Sequence, residues 1–278
     1  DPKITWITEA HPLGTGGAIV NALPFLDPEP FFVLNGDILT DLDITALFRV
    51  HEELGAEGVI ALTPVEDPTA FGLVRLRDDH SVEAFLEKPR LDELRPGEPY
   101  RINAGAYLLS PSVLDAIPLG RACSIEREVF PVLAGRGVLY GFPSESYWRD
   151  IGTPASYLAA HHDVLDGALE TESPVPGPYL GEGAEVDDDA EVDARSSLGP
   201  EARVAAGARV LGSVLGAGAS VGEDAVVDGA IVGARVEVGE GAELLPGSVV
   251  GDGAVIAPGA RVGDDAPVAT GATVPSAG

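Results

Sequence analysis

The chain has 278 residues, room for one large domain or two ordinary ones. It carries 45 acidic against 17 basic side chains, a formal net charge of −28, which repels nucleic acid and anionic lipid and requires a divalent cation to bridge it to any phosphorylated substrate. Its one cysteine, Cys123, cannot form an internal disulfide and reads as a small buried side chain. No apolar run reaches the roughly 18 residues of a membrane span, so the composition points to the cytoplasm.

The chain contains no methionine and opens on Asp1-Pro2-Lys3-Ile4, with residues 3–8 reading as a strand, so its opening is expected to lie in the middle of a domain. Leu13-Gly14-Thr15-Gly16-Gly17 leads into a helix over 17–25. These glycines could bring a base or a phosphate against bare backbone, although their spacing is not that of a dinucleotide-binding loop. An apolar strand over 31–35 ends in Asn35-Gly36-Asp37. The glycine allows a sharp turn and leaves Asp37 at the carboxyl end of the strand, where a carboxylate can hold Mg²⁺ against a phosphate or simply shape a turn.

A helix over 44–55 is followed by strands over 58–63, 72–76 and 82–86. The last of these ends in Glu87-Lys88-Pro89. The proline stops the strand and fixes the direction in which Lys88 leaves, so its ammonium can meet a phosphate or pair with Glu87 in solvent. Asn103-Ala104-Gly105-Ala106-Tyr107 begins a strand over 104–109. An amide beside bare backbone suits a polyhydroxylated ligand, and equally suits tight strand packing.

Ser124, with Glu126 and Glu128 after it, starts a helix over 125–134, and a strand over 138–142 follows. Trp148-Arg149-Asp150-Ile151-Gly152 sets a second acid just before Thr153-Pro154, an N-cap with proline at the first helical position, which opens a helix over 154–165. Such alternation predicts an α/β sandwich with a largely parallel sheet, binding ligands beyond the carboxyl ends of its strands. His11, His51 and the adjacent pair His161-His162 read as surface side chains, since helix neighbours point to different faces.

The composition changes near residue 174. Residues 170–178 (ETESPVPGP) read as a linker, and beyond it Gly, Ala, Val, Asp, Glu and Pro dominate. Aliphatic residues recur every six positions, as in Val186, Val192, Leu198, Val204 and Val210 and again from Val238 to Val274. Two steps of eleven are each a six plus a five, with Leu215 and Val232 at the shortened position. A small residue usually sits two positions before the aliphatic one. This period belongs to a parallel β-helix whose triangular coils each take three hexapeptides, giving about five coils.

In order, Glu9 with PLGTGG (12–17), LNGD (34–37), FGLV (71–74), FLEKP (85–89), NAGAY (103–107), SIEREVFP (124–131) and WRDIGTP (148–154) resemble the sugar-nucleotide pyrophosphorylase family. The last two are most similar to its mannose-1-phosphate guanylyltransferase branch. The resemblance implies a Rossmann-like nucleotidyltransferase sandwich over 1–169, incomplete at its N-terminus. After the linker at 170–178 it implies a left-handed parallel β-helix over 179–278.

It also implies GTP and mannose 1-phosphate as substrates, with Mg²⁺ held by Asp37 and Asp150. Lys88 would contact the sugar phosphate and Glu87 a sugar hydroxyl. Gly72, Asn103 and Gly105 would line the sugar pocket, and Gly14 would sit near the base. The family opens with a strand, a Gly-rich, Arg-containing phosphate loop and a Pro-Lys-Pro element. Here the resemblance starts at a later strand, so a chain without that loop is expected, with its catalysis unaided in doubt.

Thymidylyl-, uridylyl- or adenylyltransfer to glucose 1-phosphate is the alternative within the family, and a non-catalytic nucleotide-sugar-binding regulator the alternative outside catalysis. An acyltransferase acting through the coils fits less well, because no histidine follows His162. The coils read instead as a platform for self-association into a homo-oligomer.

Overall fold

The computed structural model describes residues 3–95, 97–171, 175–263 and 267–276. The chain divides into two compact units, Asp1–Ile38 with Leu42–Trp148, and Leu39–Asp41 with Arg149–Gly278. In chain order, the non-repeating part comprises α1 (Gly14–Ala22), β1 (Phe31–Leu34), β2 (Ile38–Thr40), α2 (Ile44–Leu54), β3 (Gly58–Pro64), β4 (Gly72–Leu76) and β5 (Val82–Glu87). It continues with β6 (Arg101–Leu109), α3 (Phe130–Arg136), β7 (Leu139–Pro143), β8 (Trp148–Asp150) and α4 (Pro154–Leu165).

Six of these strands form one sheet in the order β5-β4-β6-β3-β7, with β1 also beside β6. The expected largely parallel sheet is not what forms. Of the described pairings, β3–β7 is parallel, whereas β1–β6, β3–β6, β4–β5 and β4–β6 are antiparallel. The reason lies in the chain order: β3 to β6 follow one another with no α-helix to carry a crossover, and strands joined without a crossover run antiparallel.

The sheet is buried on both faces. On one face Ile60 and Leu62 of β3 meet Ile19 of α1, Phe130 and Leu133 of α3, and Tyr107. On the other, Val59 and Ala61 meet Leu47 of α2, Ala104 and Leu108. Helix ends follow their caps. Asp43 accepts from Thr45 N and Ala46 N at 2.9 and 3.0 Å to start α2, and Thr153 with Ser156 forms a capping box on α4.

In three further places the expected elements and the structure differ. Residues 3–9 form no strand, and Trp6 is 88% exposed, because no described strand edge pairs with them. The helix expected over 17–25 starts at Gly14 and ends in a 3₁₀ turn, Leu23–Phe25. The helix expected over 125–134 begins with a π turn, Ile125–Val129, before α3.

The repeats of the second unit form a parallel β-solenoid of about five turns, with three sheets of six, five and five strands. The phase read from the sequence holds. Leu198, Val204, Val210, Leu215, Val221, Val227, Val232, Val238, Leu244, Val250, Ile256 and Val262 are buried in one column. The small residue two positions earlier is buried too, and where it is serine the hydroxyl serves the backbone. Ser196 Oγ donates to Val210 O at 3.1 Å, and Ser213 Oγ donates to Val227 O at 3.3 Å while accepting from Ala230 N at 3.0 Å.

α4 clusters with these coils rather than with the sheet. Its two histidines are not free surface: His162 Nε2 lies 2.9 Å from Gly212 O, and His161 Nδ1 lies 3.2 Å from Ser197 Oγ. Arg149 pairs with Asp163 at 2.6 Å, and Asp166 with Arg195 at 2.7 Å. Residues 172–174 of the expected linker lie outside the described residues.

Candidate functional site

β6 is the strand on which the sheet unit departs most from regular geometry. Its pairing with β3 runs regularly to Ile60↔Tyr107 and resumes at Leu62↔Asn103, so residues 104–106 oppose Ala61 alone. This bulge is possible because Gly105 has φ +72°, and a Cβ there would lie 2.9 Å from Asn35 Nδ2. The bulge also divides the other edge of β6. β1 takes Ala106–Leu109, whereas β4 pairs through Leu73↔Ile102. Bulges of this kind re-aim side chains, and here polar groups converge on them.

Asn103 Oδ1 accepts from Gly105 N at 2.9 Å, and Asn103 Nδ2 donates to the Tyr107 hydroxyl at 2.8 Å. Asn35 N donates to Gly105 O at 2.8 Å, which fixes the turn carrying Asp37. Burial pushes the Tyr107 hydroxyl above the ordinary phenol range. Its Asn103 bond opposes the shift, while the charges of Glu126 and Glu87 add to it. Tyr107 therefore stays a neutral donor, facing two carboxylates.

Gly72 pairs with Glu87 across the β4–β5 hairpin, and a Cβ at Gly72 would come 3.0 Å from Glu87 Oε2 and 2.8 Å from Phe85 Cζ. Lys88 follows with φ +51°, a left-handed conformation that a residue before proline rarely adopts, held by Lys88 N donating to Phe71 O at 2.8 Å. Its exposed ammonium has no ion pair among the described residues. Backbone strain of this kind clusters at functional sites.

The Gly-rich loop reaches the same network by an indirect route. Gly16 N and Gly17 N donate to Cys123 O at 2.9 and 3.3 Å, so those helix N–H groups are already satisfied and do not await a phosphate. A Cβ at Gly14 (φ +72°) would meet Cys123 O at 2.6 Å. Thr15 Oγ1 donates to Glu126 Oε2 at 2.6 Å and accepts from Ile125 N at 3.0 Å, and Ser124 Oγ donates to the same Glu126 oxygen at 2.6 Å. Beside this network opens a cleft of ≈ 330 Å³, lined by Thr15, Asn35, Tyr107 and Ile125 with apolar side chains of α1 and β1. Cys123 itself is buried, with its thiol pushed up by burial.

Of the residues singled out in the sequence, Gly72, Glu87, Lys88, Asn103 and Gly105 thus lie on the adjoining ends of β4, β5 and β6. Asp37 is exposed in the turn after β1. Asp150 ends β8 in the second unit, where its Oδ1 accepts from Gly152 N at 2.8 Å. Sequence reasoning passed over Tyr107, Glu126, Thr15 and Asn35 as site residues. His51, read as surface, is buried, with Nε2 2.9 Å from Ser110 Oγ. Among the described residues no group of three or more His, Cys, Asp or Glu forms a metal cluster, and no helix is long and apolar enough to cross a membrane.

Residues 1–167 match the Nucleotidyl transferase family. The chain belongs to that family. Residues 175–275 match the GMPPB C-terminal domain. The chain is 38% identical over 223 residues to a mannose-1-phosphate guanylyltransferase of Mycobacterium tuberculosis, covering 77% of this chain and 59% of that protein. It is 37% identical over 219 residues to mannose-1-phosphate guanylyltransferase 1 of Arabidopsis thaliana, covering 76% and 59%. It is 42% identical over 160 residues to a mannose-1-phosphate guanyltransferase of Yarrowia lipolytica, covering 56% and 42%. The chain therefore spans about three fifths or less of the length of these relatives.

Proposed function

We propose that this nucleotidyl transferase family member transfers guanylate from GTP to mannose 1-phosphate, giving GDP-mannose and pyrophosphate. A phosphate oxygen of the sugar 1-phosphate attacks the α-phosphorus of GTP, and the bond to the β-phosphate oxygen breaks. No protein nucleophile is needed, so the chain's task is to position the two substrates and to neutralise charge.

The observation that carries this reading is the convergence of Glu87, Asn103 and Tyr107 where β5 ends and β6 bulges, with Lys88 next in the chain after Glu87. Lys88 offers its unpaired ammonium to the sugar phosphate. Glu87 accepts from a sugar hydroxyl, Asn103 offers both donor and acceptor, and Gly72 and Gly105 leave room for the ring. Gly14 belongs to the base side. Asp37 and Asp150 each offer carboxylate oxygens of the kind Mg²⁺ prefers. When bound, Mg²⁺ supplies positive charge against the triphosphate oxygens. The relatives named above support guanine and mannose.

The test is pyrophosphate release with Mg²⁺, crossing GTP, dTTP, UTP and ATP with mannose 1-phosphate and glucose 1-phosphate. GTP with mannose 1-phosphate is expected to lead every other pair by more than tenfold. A lead by another pair would reassign the substrates, and release from none would overturn transfer by this polypeptide.

A further inference from the structure

A second cleft, of ≈ 220 Å³, is lined by none of the residues assigned above. Three of the chain's 17 basic side chains meet there: Arg75 on β4, Arg95 in the loop after β5, and Arg101 at the start of β6. Arg95 is matched, with Glu83 Oε1 and Glu98 Oε1 each at 3.3 Å. Arg75 is matched in part, and Arg101 is not. Arg75 Nη2 donates to Glu93 O at 2.5 Å, but its Nε is buried without a hydrogen bond, with Glu98 Oε2 3.7 Å away. The Arg101 guanidinium has no hydrogen-bond or ion-pair partner among the described residues, and its Nε is buried.

A buried guanidinium N–H without a protein acceptor is costly unless another acceptor reaches it. Three guanidiniums against two carboxylates leave one positive charge in excess, inside a chain of net charge −28. A concave basic site in an acidic surface concentrates anions locally.

The position of the cleft adds a consequence. The described pairing of β4 with β6 is Leu73↔Ile102 alone. Arg75 lies two residues beyond Leu73, and Arg101 immediately precedes Ile102, so the two arginines flank the point where the strands part. Gly72 and Asn103 flank the same pair on its other side.

We propose that this cleft binds a small phosphate anion, inorganic phosphate or pyrophosphate, gripped between Arg75 and Arg101. Guanidinium forks match phosphate oxygens, and two of them can share one phosphate group. The volume decides against a nucleotide, since sites for ligands of that size start at about 300 Å³. A bound anion ties β4 to β6 next to the pair Leu73↔Ile102. The anion site itself stands independently of the proposed guanylyl transfer.

The test is calorimetric titration of the full chain with sodium phosphate and with sodium pyrophosphate, at ionic strength held constant with chloride. Saturable binding of at least one anion is expected. Arg101→Gln and Arg75→Gln should each weaken it at least tenfold, Arg101→Lys should recover part of the loss, and Lys88→Gln should change it less than twofold. Tighter pyrophosphate binding assigns the site to a reaction product, and equal or tighter phosphate binding assigns it to the free ion. If Arg101→Gln does not fold, the Nε–H resonances of Arg75 and Arg101 in the unaltered chain should shift on titration. No saturable binding, unchanged affinity in Arg101→Gln, loss in Lys88→Gln instead, or resonances that do not move would each overturn the proposal.

Discussion

The coil stack and the sheet unit bury their apolar side chains in different ways, and the difference explains where polar groups can converge. In the stack each turn rests on the turn before it, and one column of Val, Leu and Ile fills the interior. A residue there meets only its neighbours along the axis, as in other solenoids. In the sheet unit β6 alone pairs with β1, β3 and β4, and it does so only by breaking register at Gly105. The break costs ladder hydrogen bonds, but it turns Asn103 and Tyr107 toward Glu87 and Glu126. Regular repetition gives a stiff scaffold, and an irregular strand gives a polar site.

The largest effects test that contrast through the cores. Phe130 is fully buried, with ring centroids 5.1 Å from Tyr107 and 5.5 Å from Phe85. Phe130→Ala should cost about 3–5 kcal/mol in denaturant unfolding and also abolish ligand binding, because the cavity opens beneath Tyr107. Leu244 is equally buried in the stack. Leu244→Ala should cost roughly 2–5 kcal/mol, yet hydrogen exchange should rise only in adjacent turns, with ligand binding unchanged.

Gly105→Ala comes next. A side chain at φ +72° that also presses on Asn35 should cost roughly 1–3 kcal/mol. Binding of mannose 1-phosphate should weaken more than tenfold in calorimetry, whereas a glycine-to-alanine change at Gly253, in open space on the stack, should leave binding untouched.

The smallest effect is pH dependence. Burial lowers His51, with Glu52 opposing, and burial followed by the His162 charge lowers His161. The unfolded chain then binds these protons more tightly than the folded one. Stability is therefore fully present above about pH 6.5 and is lost as pH falls below it. His51→Asn should flatten the acid sensitivity of the sheet unit, and His161→Asn that of the second unit, as read by hydrogen exchange at pH 7.5 and 5.5.

The two regions were also unequally legible. The stack could be phased residue by residue, because one six-residue rule is repeated and every Val, Leu or Ile at that phase turned inward. Apart from residues 3–8, which form no strand, and the short β2 and β8, which were not foreseen, the strands were placed to within a few residues but not their directions, since antiparallel pairing depends on which strands lack a helix between them. Asn103, Gly105, Glu87 and Lys88 could be named from local sequence, because each sits at a strand end or a glycine. Glu126, Thr15 and Asn35 could not, because their roles arise from contacts across 70 or more positions of chain, such as Thr15 with Glu126, 111 residues apart. The burial of His51 and the partial burial of His161 were hidden in a similar way, behind contacts with Ser110 and Ser197, 59 and 36 residues away.

The most direct measurement is a titration of GDP-mannose with Mg²⁺ into isotopically labelled full chain, followed by backbone amide resonances. The account predicts saturable shifts centred on Gly72, Glu87, Lys88, Asn103 and Gly105, lost in Lys88→Gln, with the stack silent. Shifts confined to the coil residues, or no saturable shift at all, would contradict it.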